Sequence, residues 1–184
     1  MTLRTDLTAL LADAGLIDVD VDEAVADEHV RSSAYRRIIS VAAASQNRDG
    51  DRAIVVTILR DPEELTSKGA VVAFVDEIAM KATDSAAFQQ WAAELLPEID
   101  RLKTEGHREF IRQRVRDCLF YLSIKEGQVP TSAELAGVTH WMQRLLADES
   151  TSLPVLTLLV EHGNTRKIRN VAKNRAGSRE LRTN

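Results

Sequence analysis

Residues 164–184 hold seven cations, Arg166, Lys167, Arg169, Lys173, Arg175, Arg179 and Arg182, against one acid, Glu180. Such a cluster can hold phosphate groups, through charge and counterion release rather than base reading, or can be the basic side of an ordinary packed helix. A second set, Arg108, Arg112 and Arg116, recurs every four residues and so lines one side of a helix. Arg31, Arg36 and Arg37 form a third. These three, with Arg108, Arg112, Arg116, Arg166, Lys167, Arg169, Lys173 and Arg175, are the candidate contacts for nucleic acid or for a partner. Each group also has a plainer reading. Glu105, Glu109 and Asp117 stand near the second set and can pair with it across a solvated face. Cations toward the end of a last helix complement its macrodipole without any ligand. The basic stretch lacks interleaved aromatics, which argues against stacking on single-stranded bases. One arrangement that would use it is a helix-turn-helix, with Leu153–His162, a turn at Gly163-Asn164 and Thr165–Arg175. Against that stand its few apolar anchors, Ile168, Val171 and Ala172, and the acidity of the whole chain.

Other chemistry finds no constellation. His29, His107, His140 and His162 are scattered and form neither HExxH nor a His/Cys cluster, so no metal site is expected. Cys118 lies on an apolar stripe and reads as a buried structural thiol. Ser32 and Ser33 have no nucleophile elbow around them. Trp91 and Trp141 read as core or groove-lining residues. No catalytic residue, cofactor or glycine-rich phosphate loop is expected.

These side chains need a scaffold, and composition describes it. The 184 residues are 44% hydrophobic and 28% charged, a folded rather than a disordered composition. Aromatics are 4%, so the core must be Leu, Val, Ile and Ala. With one cysteine, no apolar run of membrane length and acids early in the chain, the expectation is a cytoplasmic protein that does not enter membranes. The net charge of −4, set beside the +6 of residues 164–184, leaves −10 for the rest. Such asymmetry suits a basic arm for nucleic acid, or two ends that attract each other.

The periodicities are helical. Leu3, Leu7, Leu10 and Leu11 precede Gly15 as a stop. LIDVDVD reads as loop or helix start, and Ala24 to about Ser45 as one helix. RAIVVTILRDP has strand propensity in its β-branched run, but no second strand exists to pair with it, so a short buried helix is preferred. Ser67 reads as the cap of a helix through Ala82, and Asp84 as the next cap. Pro97 either kinks the following helix or divides it from IDRL. Glu105 to Glu126 is the longest helix, stopped by Gly127. PTSAEL starts a helix, expected to run to about Asp148. Leu153 to His162 is another, and Asn164 is expected to cap the last, to about Arg175. The count is eight to ten helices in one domain, residues 1–176, with a polar tail, 177–184.

VRSSAYRRI (Val30 to Ile38) and IRNVAKNRA (Ile168 to Ala176) share a β-branched residue, Arg, two residues and Ala. FIRQRVRDCL gives a weaker echo. This resembles the second helix of HEAT-like repeats, and paired helices about every ~40 residues fit the likeness. It implies an all-α superhelix whose curved surface binds a macromolecule; the alternative fold is an irregular multi-helix bundle. The leading functional expectation is then a non-enzymatic helical-repeat protein that binds a protein partner. The alternative is nucleic-acid binding through the arginine ridges and the basic C-terminal helix. A third, implied by resemblance to HEAT-like DNA glycosylases, needs a cleft holding a Trp beside a carboxylate.

Overall fold

The computed structural model describes residues 2–178. Among them are eleven helices and no strand, so the protein is all-α: α1 (Leu3–Asp13), α2 (Val21–Ala26), α3 (Glu28–Ala44), α4 (Asp51–Ile58), α5 (Glu64–Lys81), α6 (Ser85–Ile99), α7 (Glu105–Lys125), α8 (Ser132–Gly137), α9 (His140–Glu149), α10 (Leu153–His162) and α11 (Arg166–Ala176). The chain forms two compact units, Met1–Val115 and Arg116–Asn184, and the division falls inside α7. None of the described helices is long and apolar enough to cross a membrane.

Short polar side chains set most boundaries by accepting from backbone N–H groups that the helix leaves unpaired. Asp20 accepts from Asp22 and Glu23 N–H, and Asp27 from His29 and Val30. Asp27 therefore divides what reads as one helix from Ala24 into α2 and α3. Thr139 does the same downstream: its hydroxyl accepts from Met142 N–H and starts α9, so the helix expected from PTSAEL to Asp148 is two. Thr131 and Glu134 form a reciprocal capping box at α8. Asp84 caps α6 as expected, and α6 continues through Pro97 to Ile99. Ser67 is not a cap; it is buried inside α5, its hydroxyl donating to Glu64 O. Thr165, not Asn164, caps α11. Gly15 and Gly127 hold positive φ and end α1 and α7, as their position after the apolar stripes requires.

In unit 1, α3 packs along α5, while α4 bridges α1, α5 and α6. RAIVVTI is indeed a short helix, with Val55 and Ile58 wholly buried. Tyr35, Phe74, Phe88, Ile38, Ile39 and Ile99 fill the centre, each worth about 1.5–3 kcal/mol as buried apolar surface. Charge runs through this core. Arg31 Nε donates to Asp61 Oδ2 at 2.7 Å and its Nη1 to Ala24 O at 3.0 Å. Tyr35 Oη donates to the same Asp61 oxygen at 2.8 Å. Burial, and then the Asp61 charge, raise the Tyr35 hydroxyl above its ordinary pKa. The α7 N-terminus is held by Glu64 of α5, whose carboxylate accepts from Lys103 N, Thr104 N and His107 Nδ1. Hydrogen bonding from Thr104 first, then from Lys103, draws the Glu64 carboxyl down to about 2.

Unit 2 has its own core of Ile124, Leu135, Val138, Met142, Leu146, Val155, Leu156, Leu159 and Ile168. Here α11 lies against α10 and α9, and α10 against α8 and α9.

Candidate nucleic-acid interface

The two units use their cations differently. In unit 1 most of the candidate arginines are spent on the fold, Arg36 being the exception. Arg31 is 5% exposed and closed onto Asp61. Arg37 pairs with Asp18 at 2.6 Å, and Arg112 with Asp100 at 2.5 Å. Arg108 Nη1 donates to the carbonyls of Leu102 and Lys103, satisfying the loop before its own helix. Arg52 and Arg101 both clasp the buried Glu98, whose carboxyl they hold below its usual range, Arg52 contributing most. Arg36 is exposed on a groove with Ile39, Ala73, Asp76, Glu77 and Met80. Arg116 is exposed and belongs to unit 2.

α11 is different. Its sequence, RKIRNVAKNRA, has no acid. Ile168 and Ala172 are buried and Val171 half-buried, which anchors one side. Arg166, Lys167, Asn170, Lys173 and Asn174 are all exposed, and at 100° per residue they fall within one third of the circumference. Among the described residues no carboxylate pairs with Arg166, Lys167 or Lys173. Lys173 and Arg175 sit in the last turn, where the dipole favours them. Arg166 and Lys167 sit in the first turn, where the dipole opposes them and an acid would serve folding better. Helix stability therefore does not explain those two cations.

The approach to α11 is built tightly. Gly163 ends α10, its N–H donating to Leu159 O at 2.9 Å. A Cβ at this glycine would lie 2.5 Å from that same carbonyl oxygen and 3.0 Å from the Ile168 side chain, so only glycine lets α11 turn this close to α10. Arg169 Nη1 donates to Gly163 O at 2.6 Å, which removes Arg169 from the exposed set. Gln143, wholly buried on α9, locks the turn from behind: Nε2 donates to Leu135 O and Oε1 accepts from Asn164 N, each at 2.8 Å. Asp117 of α7 accepts from the backbone N and hydroxyl of Thr139 and so places α9. Between α9 and α11 runs a groove of about 160 Å³ lined by His140, Arg144, Asp148, Thr165, Lys167, Ile168 and Val171. Arg144 reaches Asp148 only at 3.7 Å, an exposed pair.

The helix, turn and helix from Leu153 to Ala176 are thus present, with a three-residue turn of Gly163, Asn164 and Thr165. The sequence reading did not pick out Asn170, Asn174 or Arg144, and weighed His140 only as a metal ligand. The signal for the asparagines was present, since Arg166, Asn170 and Asn174 recur every four residues. Nothing local marked Gln143 as the residue that holds the turn. Arg179 and Arg182 lie outside the described residues.

The Trp-beside-carboxylate arrangement also occurs, in unit 1. Trp91 Nε1 donates to Asp51 Oδ2 at 2.8 Å, and Trp91 lines a cavity of about 690 Å³. Asp51 is 3% exposed, however, and absent from the cavity wall, its oxygen taken by Trp91 and Arg48. Burial raises its carboxyl pKa, against the pull of those two partners. The wall therefore offers no carboxylate to a bound base. Among the described residues no group of three His, Cys, Asp or Glu is placed to hold a metal ion.

No family model, curated protein or solved structure matches the chain.

Proposed function

We propose that this chain binds double-stranded nucleic acid through α11. Arg166, Lys167 and Lys173 hold backbone phosphates, while Asn170 and Asn174 face base edges, where an asparagine can pair bidentately with adenine. The observation that carries this reading is the acid-free exposed face of α11, with two cations in the first turn, against the dipole. Unit 1, with 14 Lys and Arg against 21 Asp and Glu, repels a polyanion, so binding is expected to need low salt.

The test is a titration of the full chain with a duplex of about two helical turns at several salt concentrations. Binding should weaken steeply with salt, and each of Arg166→Gln, Lys167→Gln and Lys173→Gln should reduce the slope by about one. Absence of binding at low salt, or a triple variant that binds as tightly as the parent, rejects the reading.

A second reading, docking of a protein partner, has one observation in its favour. Met80, 42% exposed, lines an apolar-floored groove of about 330 Å³ between α3 and α5 with charges of both signs at its rim. A partner retained by the full chain should be lost on Met80→Asp while duplex binding is unchanged.

A further inference from the structure

We propose that unit 1 carries a separate binding site for a small organic anion with an apolar, ring-bearing body, in the cavity where α3 and α5 end and α6 begins. It is independent of α11. The cavity holds about 690 Å³, within the range of small-molecule sites. Its apolar wall is Ala43, Ala44, Ile78, Ala87, Phe88 and Trp91. The two rings are stacked, with centroids 5.6 Å apart, and Phe74 packs edge-on against Trp91 at 5.7 Å. Phe88 is 1% and Trp91 7% exposed, so they give the cavity a rigid apolar floor.

Charge decides the sign of the ligand. Arg48 and Lys81 line the cavity and no Asp or Glu does. Their counter-carboxylates, Asp51 and Glu77, are not on the wall. Arg48 is fixed before any ligand arrives. Its Nη1 and Nη2 donate to Ala42 O, Ala43 O and Asp51 Oδ2, each at 3.2 Å. Its Nε–H has no partner among the described residues, and the side chain is 30% exposed. Lys81 is held only by an exposed pair with Glu77, both 44% exposed. Such a pair is worth little, so the ammonium is available to a carboxylate or sulfonate on the ligand. A fixed guanidinium, a movable ammonium and a rigid apolar floor together recognise an aryl acid.

The experiment uses the full chain carrying Trp141→Phe, which leaves Trp91 as its only tryptophan. Biphenyl-4-acetate is titrated against Trp91 fluorescence, in parallel with its uncharged amide. The expected result is a saturable change with the acid at sub-millimolar concentration, and at least tenfold weaker binding of the amide. Lys81→Gln should weaken the acid about fivefold or more without moving the urea midpoint. Ala87→Leu, at an exposed position on the wall, should fill the space and weaken both compounds. No saturable response to the acid overturns the proposal. So does equal binding of acid and amide, or affinity unchanged in both Lys81→Gln and Ala87→Leu.

Discussion

Arg31 and Arg166 belong to the same residue type, and each precedes a small or apolar helical face, yet they end in opposite circumstances. Arg31 sits in unit 1, where Asp61, thirty residues on, closes over it. Arg166 sits in unit 2, on a helix without acids, and faces solvent. Unit 1 has a surplus of carboxylates and uses them to tie helix ends and loops together: Asp61, Glu64 and Glu98 each gather two or more donors. In unit 2 neutral groups, Gln143, Thr139 and Thr165, share this work with Asp117, Glu134 and Arg169. A cation therefore becomes folding material where a buried acid or a free carbonyl stands opposite, as at Arg31, Arg108 and Arg169, and Arg166 has neither among the described residues.

The largest effect expected from breaking this contrast is at Arg31. Arg31→Ala leaves the Asp61 carboxylate buried without its counter-charge and should cost about 3–5 kcal/mol in urea unfolding. Duplex affinity, measured where the variant is still folded, should not change. A loss under about 1 kcal/mol would mean that Arg31 is not the counter-ion on which Asp61 depends. Next comes Gly163→Ala. Its Cβ meets a backbone oxygen on one side and the Ile168 side chain on the other, and overpacking of this kind costs about 1–3 kcal/mol. Because the turn also aims α11, duplex binding should weaken along with stability, which Arg31→Ala would not produce.

How much of this could be read from the sequence follows from the range of the interactions. The all-helical class was legible, because apolar residues recur at 3.6 and stops fall at Gly15 and Gly127. The helical state of Ile54 to Ile58 was legible by elimination, since no partner strand exists. The divisions at Asp27 and Thr139 were hidden, because a capping residue inside an unbroken apolar pattern looks like any other polar position. At the candidate site, spacing assigned Arg166, Lys167 and Lys173 to a basic helix but could not tell them from Arg31, Arg37 and Arg112. What separates the two groups is an acid far along the chain, and periodicity carries no information about what stands across a gap. A cap at Asn164, as expected, or at Thr165, as found, puts Arg166 and Lys167 in the first turn alike, so their place at the positive end was legible in the sequence.

Acid should act on unit 1 through Glu64. Its carboxyl titrates at about 2 in the folded chain and near ~4.3 when unfolded. The stabilisation is complete above the unfolded value and is lost as pH falls toward 2. The urea midpoint should therefore drop between about pH 5 and pH 2, and the drop should be shallower in Glu64→Gln, which has no carboxylate to protonate. An equal slope in parent and variant would show that the clasp on the α7 N-terminus contributes nothing at acid pH.

The smallest expected effect sharpens the contrast most. Arg37 and Arg166 are both exposed cations on helices that carry candidate contacts. Arg37 differs in having Asp18 at 2.6 Å, with side-chain exposures of 42% and 66%. Hydrogen bonding between them lowers the Asp18 carboxyl pKa and raises that of Arg37, so each is engaged with the other. Arg37→Gln should leave the urea midpoint unmoved, because an exposed pair is screened and flexible. It should also leave the salt dependence of duplex binding unmoved, because Arg37 lies on α3 and not on the α11 face proposed to hold phosphate. Arg166→Gln should share the first result and not the second. If Arg37→Gln also lowers the slope by about one, exposed pairing does not withdraw an arginine from phosphate, and cations of unit 1 then belong to the contact surface as well.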